Sequence, residues 1–202
     1  MNHIKILSLI TLLFFCLPSC ASAKSVKRIS SDKQKDLSGN WNDNDIRIVC
    51  ESLIDECIES SSIKKFTKKN SRLPCVKLGS IMNLSDEYMD TTIIANKFRN
   101  AIINSGEMKF VASDSEVEDL RKEQLSQNDH AAVGTEAQLG NEKAADFMLQ
   151  GTIKTVIDQA GSTLQKTYYV DVQLFDIETT EIVWTSENSE IVKVVNRKKV
   201  KF

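Results

Sequence analysis

Few residues in this chain have the type and spacing that chemistry requires. Its 202 residues include two histidines and five cysteines. His3 falls in an apolar N-terminal leader and His130 stands by itself in a polar stretch, so no His/Cys cluster has the spacing of a zinc or other transition-metal site. Asp43-x-Asp45 offers two carboxylates to a hard cation, but the other ligands of a calcium loop are missing. Both fit a helix start, where acidic side chains satisfy unpaired backbone N–H groups. Asp171 and Asp176 are the carboxylates to consider for acid–base work, yet on a strand residues five apart project to opposite faces. There is no Gly-x-Ser-x-Gly elbow and no glycine-rich phosphate loop. No catalytic residue, metal or cofactor is expected, and the chain reads as a non-enzyme. Cys20 is the exception in its context. It follows the positively charged Met1–Lys5 and the apolar run Ile6–Leu17, with small residues on both sides, which is the layout of a bacterial secretory signal.

Leu17-Pro18-Ser19-Cys20 resembles the lipobox of bacterial lipoproteins. The resemblance implies that Cys20 is thioether-linked to a diacylglycerol, freed from the leader and N-acylated. Three acyl chains at about 0.8 kcal/mol per buried CH2 make such an attachment effectively permanent. The apolar run itself is shorter than the roughly 18 to 20 residues that span a bilayer. An ordinary secretory signal cleaved after Ala21 or Ala23 is the other reading. Three segments follow: 1–19 as signal peptide, 20–37 as lipidated cysteine and short flexible stalk, and 38–202 as one globular domain. The stalk is polar and charged without apolar periodicity. At about 5.5 Å times the square root of its length, some 17 residues average near 23 Å, and reach about 60 Å when stretched.

The net charge of −2 conceals a separation. Ser38–Val192 carries 15 basic and 26 acidic residues, while basic residues crowd the stalk and the end (Lys193, Arg197, Lys198, Lys199, Lys201). An acidic body repels nucleic acid, and export removes that partner. The basic ends read as solvated termini, with weak attraction to anionic lipid as the alternative. Cys50, Cys57 and Cys75 remain in the body. Cys50 and Cys57 are seven apart on an expected helix, about 10 Å along its axis, too far for a disulfide. Cys75 pairing with one of them, or three buried thiols, both stay open, the second being the commoner outcome.

The elements follow from period. Asn42 or Asp43 caps a helix with apolar residues from Ile46 to Ile58 at three-and-four spacing. Ser60–Arg72 reads as a basic, serine-rich connection, with Phe66 either exposed or covering a sheet. Pro74–Ile81 is a strand. Asp90 caps a second helix that Gly106 ends, and Lys109–Ala112 is a short strand. Ser115-x-x-Glu118 has capping-box spacing for a third helix broken near Asn128, followed by a short helix around Glu136–Leu139. Phe147 to Ile157, Tyr168–Asp176 and Glu181–Thr185 alternate as strands, with Val170, Val172 and Leu174 on one face. Trp41 and Trp184 are expected as core or boundary aromatics. Helices first and strands bunched at the end predict an α+β fold, a small mixed β-sheet flanked by helices on one or both faces.

Ser38-Gly39-x-Trp41-Asn42-Asp43-x-Asp45, Ile102-Ile103-Asn104-Ser105-Gly106, Lys109-Phe110-Val111 and Leu139-Gly140 occur in that order. They are followed by Ala145-Asp146-Phe147-Met148-Leu149-x-Gly151-x-Ile153, a Tyr-x-Val-x-Leu-x-Asp pattern in shifted form around Tyr169, and Glu178-Thr179-x-Glu181-Ile182-Val183-Trp184. The ordered set resembles the LpoB family of penicillin-binding protein activators over most of Ser38–Lys199. The resemblance implies a fold like the N-terminal domain of TolB. It also implies a lipoprotein on the periplasmic side of the outer membrane that binds a bifunctional penicillin-binding protein and stimulates glycan polymerisation and peptide crosslinking. Ala21 after the cysteine is compatible with sorting to that membrane. A monomer is expected. Two positions depart from the family pattern: the stalk is short and proline-free, and Thr180 stands where the turn before the last strand usually has glycine. No short motif carries the docking residues over. The competing reading is a lipoprotein subunit of an envelope or secretion assembly.

Overall fold

The first helix starts where a reciprocal cap can form. The Asn42 side-chain oxygen accepts from the N–H groups of Asn44 and Asp45 at 2.9 and 3.2 Å, and Asp45 Oδ2 accepts from the Asn42 N–H at 3.0 Å. Helix α1, Asp43–Glu59, then buries Ile46, Val49, Cys50, Leu53, Ile54 and Cys57 along one face, as their spacing predicts. The computed structural model describes residues 28–30 and 38–196. The expected signal peptide, Cys20, most of the stalk and the last six residues lie outside the described residues.

Ser60–Arg72 is not a connection. Ser60 Oγ accepts from the Ile63 N–H at 3.4 Å to open helix α2, Ser61–Asn70, and Ser71 ends it in the left-handed region at φ 51°. Only Ile63 is buried, with Phe66 packed against the core and its ring edge-on to Phe147 at 5.1 Å. Two apolar residues in ten are too few to show a period, which is why the sequence pattern missed this helix.

Strand β1 (Cys75–Asn83) leads to helix α3 (Thr91–Ser105), which Asp90 opens through the Thr92 N–H at 2.9 Å and Gly106 ends at φ 70°. After strand β2 (Lys109–Phe110) comes helix α4 (Asp114–His130). Its capping box is Ser113 with Glu116, two residues before the expected Ser115 with Glu118. Both pairs have the spacing, but the chain turns as soon as it leaves β2, and the Ser113 N–H reaches Glu116 Oε2 at 2.8 Å. The helix runs past Asn128, so His130 is its last residue and lies in no loop. The helix expected at Glu136–Leu139 is absent. Those residues form an irregular segment between Gly134 and Gly140, both in the left-handed region.

Strands β3 (Phe147–Ala160) and β4 (Thr163–Asp176) form a long hairpin, and β5 (Ile182–Asn188) follows the turn at Thr180. Thr180 has φ 62°, a left-handed conformation in which a β-branched residue is strained by about 1 kcal/mol. A last strand, β6 (Val192–Asn196), pairs with the far half of β4 from Thr167 to Thr163. Lys193 therefore belongs to the sheet and not to a basic tail. Its ammonium is buried against Asp45, at 3.0 and 2.9 Å from the two carboxylate oxygens.

The sheet order is β2-β1-β3-β4-β5, with β6 beside β4. β2, β1 and β3 are parallel and β4 and β5 antiparallel. The expected mixed α+β sheet is what forms. Helices supply the crossovers that parallel neighbours require. Leu53, Cys57, Phe98 and Ile102 from α1 and α3 meet Val76, Leu149, Ile153, Val172 and Leu174 from the sheet in one core, and Trp41, Phe66 and Trp184 pack at its boundary. Cys50, Cys57 and Cys75 are buried and unpaired. Burial pushes the Cys50 and Cys57 thiols up to about 12, far from thiolate reactivity.

The segment before α1 is tied to the loop after β1. Glu87 accepts from the Trp41 N–H at 3.0 Å and from the Tyr168 hydroxyl at 2.7 Å, while Lys166 bridges Asp86 and Glu87 at 2.8 and 2.6 Å. A Cβ at Gly39 would lie 2.0 Å from Val195 Cγ2, so this close approach to β6 needs glycine.

Candidate docking surface

The residues singled out for chemistry disperse. Asp43 pairs with Lys97 at 3.3 Å and Asp45 with Lys193, so both aspartates serve the start of α1. Asp176 Oδ1 accepts from the N–H groups of Glu178 and Thr179, each at 2.9 Å, and shapes the β4–β5 turn. Asp171 sits across from Thr152 on the other face, away from Asp176, as the spacing predicts. Among the described residues no group of three or more His, Cys, Asp or Glu is placed to hold a metal ion. Cys20 lies outside them.

One carboxylate pair was not legible in the sequence. Asp171 and Glu187 are cross-strand partners on β4 and β5, on the sheet face opposite α1 and α3. Asp171 accepts a hydrogen bond from the Glu187 carboxyl and so holds it above its usual range, and Lys154 contacts Asp171 at 3.0 Å. Gln150, Thr152 and Gln173 line a polar trough of about 320 Å³ beside them. This pair can share a proton and hydrogen-bond a polar group, but Glu187 and Lys154 are open to water. No nucleophile–base pair accompanies them among the described residues.

An apolar concavity lies between α3 and α4. Ile103, Phe110, Ala112 and Leu120 line a groove of about 540 Å³, with Arg99, Glu116 and Asp119 on its rim. Ile103 and Leu120 are 52% and 54% exposed, an apolar pair open to water. The reason is local. Ile94, Phe98 and Ile102 are the stripe of α3 that meets the core, and Ile103 falls one residue off it. Helix α4 buries none of its 17 residues. It is held instead by ion pairs, Lys77 with Asp114, Arg99 with Glu116 at 2.9 Å and Arg121 with Glu142 at 2.7 Å. A helix with no buried face gains little from tertiary packing and depends on caps and charges.

Helix α4, which forms one wall of the groove, is acidic. Asp114, Glu116, Glu118, Asp119, Glu123 and Asp129 outnumber Arg121 and Lys122 along α4. Arg99 lies over the Phe110 ring at 5.3 Å with its Nε unpartnered among the described residues. Sequence reasoning missed the groove because its walls come from three separate elements. The only signal was the surplus apolar residue at Ile103 beside Ile102.

Comparison with known proteins supplies the remaining constraint. The family model described as peptidoglycan-synthase activator LpoB matches residues 45–190. No curated protein matches the chain. Among solved structures it is similar to the LpoB C-terminal domain from Escherichia coli, at 13% identity over 76% of this chain and 99% of that one, with a TM-score of 0.47. The NMR structure of E. coli LpoB matches at 12% identity over 89% of this chain and 86% of that one, TM-score 0.42. Lipoprotein GNA1162 from Neisseria meningitidis matches at 14% identity over 62% and 87%, TM-score 0.38.

Proposed function

Because the chain belongs to the peptidoglycan-synthase activator LpoB family, we propose that it binds a bifunctional penicillin-binding protein and raises its activity without chemistry of its own. The anchor in this reading is Cys20, lipidated after removal of residues 1–19, which tethers the domain by a short stalk to the periplasmic side of the outer membrane. The domain acts as a monomer. The observation that carries the reading is the α3–α4 groove in a chain of an activator family. Ile103 and Leu120 are exposed apolar side chains that gain free energy when a partner removes them from water. The acidic α4 favours a basic surface on the synthase and sets register and on-rate. Activation follows if the domain binds the active conformation of the synthase more tightly than the inactive one, since a ligand shifts an equilibrium only by its differential affinity.

Retention from detergent extract on the immobilised domain tests the partnership. A protein that carries covalently bound labelled penicillin is expected in the retained fraction, released by salt as charge screening weakens the contact. Retention of secretion components without any penicillin-binding protein would reject it and favour an assembly subunit.

A further inference from the structure

Helix α2 carries a concentration of lysines on one short element. From Ser60 to Ser85 there are six basic residues and no acidic one, within a body that is otherwise acidic. Four of the six, Lys64, Lys65, Lys68 and Lys69, are exposed on the ten residues of α2. Lys64 contacts Glu59, while Lys65, Lys68 and Lys69 have no ion-pair partner among the described residues. Glu107 lies near Lys68 without pairing with it. Like charges this close repel one another, so the arrangement raises the free energy of the isolated domain and favours an anionic surface.

The platform beneath the lysines is rigid. Ile63 is buried, Phe66 meets Phe147, and the Ser62 hydroxyl donates to the Val183 carbonyl at 2.6 Å. Arg72 completes the fixation: it lies over the Phe66 ring at 5.0 Å and holds Asp146 through both terminal nitrogens at 2.7 and 2.6 Å. The helix cannot roll its lysines away. Chain length agrees with a membrane as the occupant. Some 17 residues between Cys20 and Ser38 reach about 60 Å, whereas α1, which separates Asn42 from α2, is about 25 Å long. A tether of that reach lets α2 meet the bilayer that holds Cys20.

We propose that the Lys64, Lys65, Lys68 and Lys69 face of α2 docks on anionic phospholipid headgroups and so fixes how the domain stands on its membrane. The reach argument rests on the anchor reading above; the charge argument does not. Binding is peripheral, since α2 offers lysines outward and no exposed apolar residue.

The core lies within residues 38–196, so residues 38–202 are the form to test without the anchor. Co-sedimentation is measured with phosphatidylcholine vesicles and with vesicles that also contain phosphatidylglycerol. The bound fraction is expected to rise with phosphatidylglycerol and fall with salt. Each lysine held near such a surface contributes about fivefold, so K65Q/K68Q/K69Q is expected to lose about a hundredfold in partitioning. The same three changes should leave the melting temperature and synthase stimulation in detergent unaltered, which separates this proposal from the function proposed above. K198Q/K199Q/K201Q, in the C-terminal run, is expected to retain binding to the lipid. Equal binding to both vesicle types, or loss with the C-terminal variant and retention with the α2 variant, would overturn the proposal.

Discussion

I103K/L120K is expected to abolish stimulation of the cognate synthase while leaving the domain folded. Both side chains are about half exposed in the free domain, so replacing them removes little core packing, and surface changes of this kind stay within about 0.5 kcal/mol of stability. In a complex the same positions are apolar anchors. Truncating such an anchor costs about 2 kcal/mol or more, and a lysine adds a like charge opposite a basic partner. Together the two changes are expected to weaken binding by about a hundredfold or more, even allowing for non-additivity. Val156, 56% exposed on the far half of the β3–β4 hairpin, supplies the control. V156K should stimulate like the unaltered domain. If V156K fails while I103K/L120K stimulates normally, the docking surface lies on the hairpin.

The second large effect concerns stability. Asp45 and Lys193 are 148 residues apart and join the start of α1 to the last strand in a pair buried on both sides. Removing one partner strands the other charge in a poorly solvated place, which costs about 3 to 5 kcal/mol. K193M leaves Asp45 with its backbone contact at Asn42 and the favourable end of the helix dipole, so its cost should sit near the lower figure, about 3 kcal/mol. For a domain of this size about 3 kcal/mol lowers the melting temperature by roughly 6 to 12 °C. D45L removes both the carboxylate that faces Lys193 and the acceptor of the Asn42 N–H at the start of α1, and should cost more. D45L/K193M is expected to be more stable than D45L alone, since paired apolar replacements often recover much of the loss. Urea titration of the four forms measures the coupling, and single variants within 0.5 kcal/mol of the parent would show that the pair is solvated.

What the sequence made legible tracks how far each element expresses a period. Ile46 to Ile58 repeats at helical spacing along α1, and Val170, Val172 and Leu174 alternate along β4, so both elements, their buried faces and the mixed sheet were readable. Helix α2 was hidden because only Ile63 and Phe66 are apolar among its lysines. β6 was hidden by composition. Lys193 precedes Arg197, Lys198 and Lys199, and charge counting assigned it to a tail, although Val192, Val194 and Val195 carry the β-branched signature of a strand. The cap of α4 was misplaced because Ser113 and Ser115 both stand three before a glutamate, and only tertiary position chooses between them. The groove and the Asp171–Glu187 pair are properties of neighbouring elements, so no local pattern announces them.

The central claim is that this domain accelerates a peptidoglycan synthase by binding it. The most direct measurement is the rate of glycan polymerisation by the purified cognate bifunctional synthase from its lipid-linked precursor, with the domain titrated to saturation of binding. The account predicts that the rate rises with occupancy and reaches a plateau, and that I103K/L120K at the same concentration leaves it at the basal value. A rate that stays at the basal value when binding by the unaltered domain is complete would contradict it.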